Sequence, residues 1–258
     1  MPSIRIGYIA ALLGGALAVM ASCERVIDLD LRSSRPVAVV EANLFADSLC
    51  RVRVTRSVDF GGPDLFPPVA DAVVVLRDSV GLCDTLAQCE PGVYLSQTIR
   101  GVEGVRYDLS VECGGELYLA ASTMPRRVPL DSMRVTEMKM FGETFLQLVP
   151  HYTDPGQTDN FYMFEVAVNG VSDHRIHAWG NTYTMGQVNQ TPINLHKAQK
   201  GDRLSVAMLC IDHGAYLFYH TLDSNGGISP ANPATNFSGG CLGYFKACTI
   251  QTMEATVE

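Results

Sequence analysis

Val105-Arg106-Tyr107-Asp108-Leu109-Ser110-Val111-Glu112-Cys113 alternates apolar and polar residues without a break. A period of two puts successive side chains on opposite faces of a strand, so this stretch reads as a β-strand with one buried and one wet face. Gly114-Gly115 follows it. That dipeptide suits a two-residue hairpin turn, whose central positions need positive φ. Leu117 to Ala121 is the expected return strand.

The same logic extends outward. Val37 to Asn43 and Leu49 to Thr55 read as strands joined by an Ala46-Asp47-Ser48 turn. In the second, Cys50, Val52 and Val54 share one face, and Arg51, Arg53 and Thr55 the other. A Gly/Pro loop, Gly61 to Pro68, breaks the pattern. Ala72 to Leu76 is a continuous apolar run expected in a core strand, and Gly92-Val93-Tyr94 opens another. Short strands separated by Gly, Pro and Asp turns predict a mainly β chain, beginning with an immunoglobulin-like β-sandwich over residues 37–125. Met124-Pro125-Arg126-Arg127 marks the crossing to a second β-rich domain, residues 126–258. Strands are expected there at Val128 to Met138, Thr144 to Tyr152, Phe161 to Val168, Leu204 to Ile211 and Tyr244 to Val257. Asp212 to Leu222 is its one expected helix, capped by Asp212 and buried through Ile211, Ala215, Tyr219 and Leu222. Ser224 to Gly240 reads as a long loop.

The amino terminus carries an address. Arg5 precedes an uncharged run from Ile6 to Met20, which ends at Met20-Ala21-Ser22-Cys23. A membrane span needs roughly 20 apolar residues, so the run reads as a cleaved signal peptide, residues 1–22. Small residues directly before Cys23 make the site a lipobox. The expectation is a bacterial lipoprotein held to the outer membrane through lipid on Cys23, since two or more acyl chains anchor stably. An ordinary cleaved signal peptide is the alternative. Residues 23–36 then form a tether, with Glu24, Asp28 and Asp30 as dispersed acids.

The chain has 19 basic and 27 acidic residues. Cleavage would remove Arg5, leaving 18 minus 27, or −9. Nucleic-acid binding needs a basic footprint, and Arg51, Arg53 and Arg56 read instead as a solvated strand face. A composition 47% hydrophobic and 18% charged is that of a packed globular protein. With Cys23 lipidated, seven of eight cysteines remain. Cys83 with Cys89, and Cys241 with Cys248, are the local disulfide candidates for an oxidising compartment. Cys50, Cys113 and Cys210 fall on apolar strand phases and read as buried thiols. The sequence has no Cys-x-x-Cys.

Several segments, in order, resemble the envelope lipoproteins grouped as domain of unknown function 4249. They are Cys23-Glu24-Arg25-Val26-Ile27-Asp28-Leu29-Asp30, Val37 to Asn43, Ala72-Val73-Val74-Val75, Gly92-Val93-Tyr94, Tyr107 to Val111, and Tyr118 to Pro125. Asp154-Pro155 with Asn160-Phe161-Tyr162, and Asn236 to Gly240 with Gly243-Tyr244-Phe245, continue the series. The chain is short for that family and richer in cysteine. The resemblance implies a Gram-negative envelope lipoprotein, often encoded beside TonB-dependent outer-membrane transporters, with a transthyretin-like first domain. It implies no established activity and no catalytic residues, and no cofactor is expected.

Few residues suggest chemistry. Asp173, His174, His177 and His196 lie in one irregular region beside Trp179, the only tryptophan, and Cys210, Asp212, His213 and His220 form a second group. Zinc would need three or four convergent ligands, and positions three apart on a strand face opposite sides. These histidines therefore read as structural or solvent-facing, and no metal is expected. Trp179, His174 and His177 remain as candidate ligand-binding residues. Asp154, Asp159 and Asn160 miss the EF-hand spacing, and Asp154-Pro155-Gly156 reads as a turn. Gly-x-Ser-x-Gly, P-loop and His-Glu-x-x-His motifs do not occur. Asp47-Ser48-Leu49, Asp78-Ser79-Val80, Asp84-Thr85-Leu86 and Asp131-Ser132-Met133 share a form that some Gram-negative envelope systems O-glycosylate, at Ser48, Ser79, Thr85 and Ser132. The expected function is a non-enzymatic accessory or ligand-capturing partner of a TonB-dependent barrel. The alternatives are an adhesive surface protein and a hydrolase without a recognisable motif.

Overall fold

The structure, a computed structural model, describes residues 36–58, 66–140, 142–195, 198–225 and 232–258. The leader, Cys23, the tether up to residue 35, His196, and parts of the Gly61–Pro68 and Ser224–Gly240 loops lie outside the described residues.

The alternating stretch forms a strand, Arg106–Cys113, with Tyr107, Leu109, Val111 and Cys113 buried. Gly114 and Gly115 turn at φ 62° and 80°. Glu116–Thr123 returns in register, Cys113 opposite Glu116 and Arg106 opposite Thr123. In chain order the elements are β1 (Ala38–Phe45), β2 (Leu49–Arg56), β3 (Val73–Asp78), β4 (Cys83–Thr85), β5 (Ala87–Glu90), β6 (Val93–Arg100), β7 (Arg106–Cys113), β8 (Glu116–Thr123), β9 (Ser132–Met140), β10 (Glu143–Thr153), β11 (Phe161–Val168), β12 (Val171–Ser172), β13 (His177–Gly180), β14 (Val188–Asn189), β15 (Ile193–Leu195), β16 (Arg203–Ile211), α1 (His213–Asn225), β17 (Phe237–Ser238) and β18 (Leu242–Thr256).

The protein is mainly β, as its periodicity requires. One sheet runs β12-β11-β16-β18-β1-β2-β6-β5, with β13 also on β11. A second runs β17-β8-β7-β3-β4, and a third gathers β9, β14 and β15 around β10. β18 joins the two halves of the large sheet by changing partners. Leu242 to Cys248 runs parallel to β1, and from Thr249 onward the strand pairs antiparallel with β16. Residues 37–125 and 126–258 therefore share a strand, within one compact unit from Arg35 to Glu258.

Two cores follow from this pairing. Val40, Ala42 and Leu44 of β1 and Val52 and Val54 of β2 pack with Leu76, Tyr107, Leu109 and Val111 of the second sheet, and Phe245 and Ala247 of β18 complete that core. The other core joins Leu148 and Tyr152 of β10 to Tyr162, Phe164 and Val166 of β11 and to Leu204, Val206 and Met208 of β16. On the opposite face of the large sheet, Met163, Leu209 and Cys248 receive Ala215, Phe218 and Tyr219 of α1. The Asp212 carboxylate accepts the Ala215 amide at 2.9 Å, so the expected helix cap is present. Two local expectations change. Leu222 is 39% exposed and Phe218 takes its place against the sheet, because the buried stripe runs through Ala215, Phe218 and Tyr219. The apolar run in β3 has one wet face, with Val73 52% exposed, because only one sheet packs against it.

Candidate functional site

A cleft of about 790 Å³ opens where three connections meet. Thr123 to Pro129 leaves β8, Thr153 to Phe161 joins β10 to β11, and Ile211 to His213 passes from β16 into α1. Apolar contact comes from Val128, Phe161 and Ile211, and hydrogen-bonding capacity from Arg126, Gln157, Thr158, Asp159 and Asn160. This mixture of apolar lining and a few polar groups is that of a ligand pocket of ordinary size. Arg127 is held in place by Glu103, which accepts its backbone amide at 3.1 Å and faces its Nε at 3.6 Å.

One wall continues as a ladder of rings. Phe161 stacks on Tyr216 at 4.7 Å and lies 5.1 Å from His213, and Tyr216 stacks on His220 at 5.3 Å. Positions 213, 216 and 220 recur on one helical face, which aligns the rings. The second histidine group from the sequence is therefore an aromatic stack. Its Cys210 is buried in the opposite core, where the thiol accepts the Val128 amide at 3.4 Å.

Asp154 fixes the loop on the cleft's other side. Its carboxylate, 1% exposed, accepts the Gly156 and Gly186 amides at 2.8 and 3.2 Å, the Asn160 and Asn181 side-chain amides at 3.1–3.2 Å, and the Tyr162 hydroxyl. Burial pushes the group up, but hydrogen bonds from Tyr162, Asn181, Gly186 and Gly156 outweigh it and hold the carboxyl below its ordinary range. The expected Asp154-Pro155-Gly156 turn is closed by the Gly156 bond. Since every one of these partners is a donor, the carboxylate is committed to the fold and is not offered to a cation. Asp212 has the opposite balance. Burial raises it more than the Ala215 amide, Ser122, the Thr123 amide and His213 lower it.

Of the candidate ligand-binding residues, His177 and Trp179 lie two positions apart on β13 and His174 precedes that strand. Trp179, on β13, donates its indole N–H to the Tyr152 hydroxyl at 2.8 Å and stacks on Phe164 at 4.8 Å. It is a half-buried packing residue whose ring and N–H are engaged with the second core. His177 lies 3.5 Å from Asp173, and His174 is exposed, at φ 55°, in the connection between β12 and β13. Among the described residues no three His, Cys, Asp or Glu side chains come together to hold a metal ion.

Cys50, Cys113 and Cys210 are buried thiols, as the strand phase indicates. The Cys241–Cys248 pairing is corrected: β18 pairs β1 in one unbroken register from Leu242 to Cys248. At about 3.3 Å per residue that separates the two cysteines by roughly 20 Å, far beyond disulfide reach. Cys83 and Cys89 are exposed free thiols on β4 and β5, which belong to different sheets. Ser48, Ser79, Thr85 and Ser132 are all exposed.

Sequence reading missed the Asp154 network, the Phe161–Tyr216 ladder and Arg126 as a cleft residue. Asp84 was missed too. Its buried carboxylate accepts the amides of Gln97, Thr98 and Ile99 at 2.6–2.9 Å, tying β4 to β6. The one available signal was an Asp in a strand phase reserved for apolar residues.

No family model and no curated protein matches the chain. Among solved structures, it resembles a pullulanase complexed with maltotriose from Anoxybacillus sp. LM18-11 at 11% identity and a TM-score of 0.23, over 66% of this chain and 24% of that one. It resembles the Yersinia pseudotuberculosis adhesin InvE at 13% identity and a TM-score of 0.22, over 86% of this chain and 58% of that one. The chain thus spans a quarter to somewhat over half of those two proteins. Likenesses at this level carry no argument about fold or function.

Proposed function

We propose that this protein is a lipid-anchored, non-enzymatic ligand-capturing component of a Gram-negative outer membrane, acting beside a TonB-dependent transporter. The observation that carries capture is the 790 Å³ cleft, where the Phe161–His213–Tyr216 rings adjoin Arg126, Asp159 and Asn160. The lipobox ending at Cys23 supports the anchor. The tether to Pro36 has the length to place the β body over a neighbouring barrel: the chain from Cys23 to Pro36 reaches up to about 45 Å when extended.

The test is affinity purification of the lipidated protein from its native membranes in mild detergent, after crosslinking. A stoichiometric TonB-dependent barrel is expected in the eluate. Recovery of this protein without a barrel overturns the partnership. Self-association into fibres in the same preparation would favour the adhesive alternative.

A further inference from the structure

Lys246 is 3% exposed, on β18 opposite Asn43 of β1. Its Nζ lies 5.0 Å from the centre of the Tyr219 ring, 5.7 Å from Phe45 and 5.9 Å from Tyr244. Among the described residues its one hydrogen bond goes to the Tyr219 hydroxyl, at 3.2 Å. An ammonium carries three donors, and the ion pairs among the described residues do not include Lys246. Glu41, on the adjacent strand, pairs instead with Arg53 at 3.5 Å. A buried charge without a counter-ion is costly, and aromatic faces offset that cost only in part.

Beside this lysine is a pocket of about 470 Å³, lined also by Asn43, Arg51, Glu165 and the apolar side chains Leu49 and Leu95. It shares no residue with the cleft described above. Its lining holds two cations, Lys246 and Arg51, and one carboxylate, Glu165, a net charge of +1. A monovalent anion balances that charge. The rings and leucines favour a flat apolar body behind the anionic group.

We propose that this pocket binds a small monovalent organic carboxylate with an aromatic body, the carboxylate paired with Lys246 and the body lying against Tyr219, Tyr244 and Phe45. Burial raises both tyrosine hydroxyls above their ordinary range, so they stay neutral and can donate. Glu165 competes with the ligand for the cations. The site is independent of any transporter partnership.

The experiment is calorimetric titration of the detergent-solubilised full chain with benzoate and indole-3-acetate, with indole-3-acetamide as the neutral isostere. Saturable binding of at least one carboxylate is expected, with the amide weaker by about tenfold or more. Lys246→Met should abolish binding, and Glu165→Gln should tighten it severalfold. Opposite effects from two substitutions in one pocket are the signature of charge pairing rather than of structural damage. Absence of saturable binding by both carboxylates overturns the proposal, as does equal affinity for the amide. If Lys246→Met does not fold, the exposed Glu165→Gln decides alone: unchanged or weaker carboxylate binding overturns it.

Discussion

The Asp154 carboxylate accepts the Tyr162 hydroxyl, and both residues are buried. The bond ties the residue that follows β10 to the second residue of β11, so the loop bordering the cleft is anchored at both ends. Asp154→Asn keeps the shape but turns an N–H₂ toward groups that are themselves donors. The expected cost is about 2–3 kcal/mol, read as a lower urea midpoint with an unchanged slope. Tyr162→Phe, which removes one donor and leaves the others, should cost less.

Three aspartates in the folded core region contribute to the pH profile. Asp84 and Asp154 are depressed: burial raises each, but the Ile99, Thr98 and Gln97 amides with the Thr98 hydroxyl outweigh it at Asp84, as the Asp154 donors do there. A depressed carboxylate contributes stability that is fully present above its unfolded pKa, about 3.9, and lost as pH falls through the folded value. Stability should therefore drop below about pH 4, and Asp84→Asn with Asp154→Asn should flatten that drop. Asp212 is raised, chiefly by burial. Its contribution is full below the unfolded pKa and is lost as pH rises through the folded value. Asp212→Asn, which retains a helix cap, should remove that loss. Unfolding midpoints across pH for the three variants check both signs.

Gly243 sits at φ 103°, and a Cβ there would lie 2.0 Å from the Val40 carbonyl oxygen. That oxygen belongs to β1, where β18 pairs with it. Gly243→Ala should therefore cost more than about 3 kcal/mol. Gly240→Ala, also at positive φ but with open space around it, should cost clearly less. Thermal unfolding of the two variants separates close approach from backbone strain.

The thiols divide by burial. Burial pushes Cys50, Cys241 and Cys248 up to about 12, and raises Cys113 and Cys210 as well. Thiolate is the reactive form, so at pH 8 only the exposed Cys83 and Cys89 should label rapidly in the folded protein. Denaturant should release the other five. Mass spectrometry after alkylation counts them, and a folded protein with no fast-reacting thiol would indicate a Cys83–Cys89 bridge.

O-glycosylation at the four Asp-Ser/Thr segments remains a proposal, supported by exposure of all four hydroxyl residues. Asp84 is buried beside Thr85, with one carboxylate oxygen accepting from Gln97, Thr98 and Ile99, whereas Asp47 and Asp131 are exposed beside Ser48 and Ser132. Ser48 and Ser132 are therefore the better acceptors. Intact-mass measurement of the native protein should exceed the lipidated polypeptide, and Ser48→Ala with Ser132→Ala should lower the excess. A mass equal to the lipidated polypeptide alone sinks the idea.

What the sequence determined by itself was local. Alternation in β2 and β7, the Gly114-Gly115 turn and the Asp212 cap depend on neighbours a few residues apart, and a period of two is visible without a partner. The short strands β12 to β15 carry too few residues to show any period, and they exist because β10 and β11 offer edges. Tertiary structure alone decided that β18 closes both cores, since a parallel pairing with β1 joins residues some 200 positions apart and leaves no local mark. It also decided the meaning of single polar residues. Asp84, Asp154 and Lys246 look like ordinary surface residues in a list of letters, and each is buried. The first two accept hydrogen bonds from several donors, and Lys246 makes no ion pair among the described residues. Such contacts depend on which strands meet, and that is set by burial of the whole apolar pattern at once.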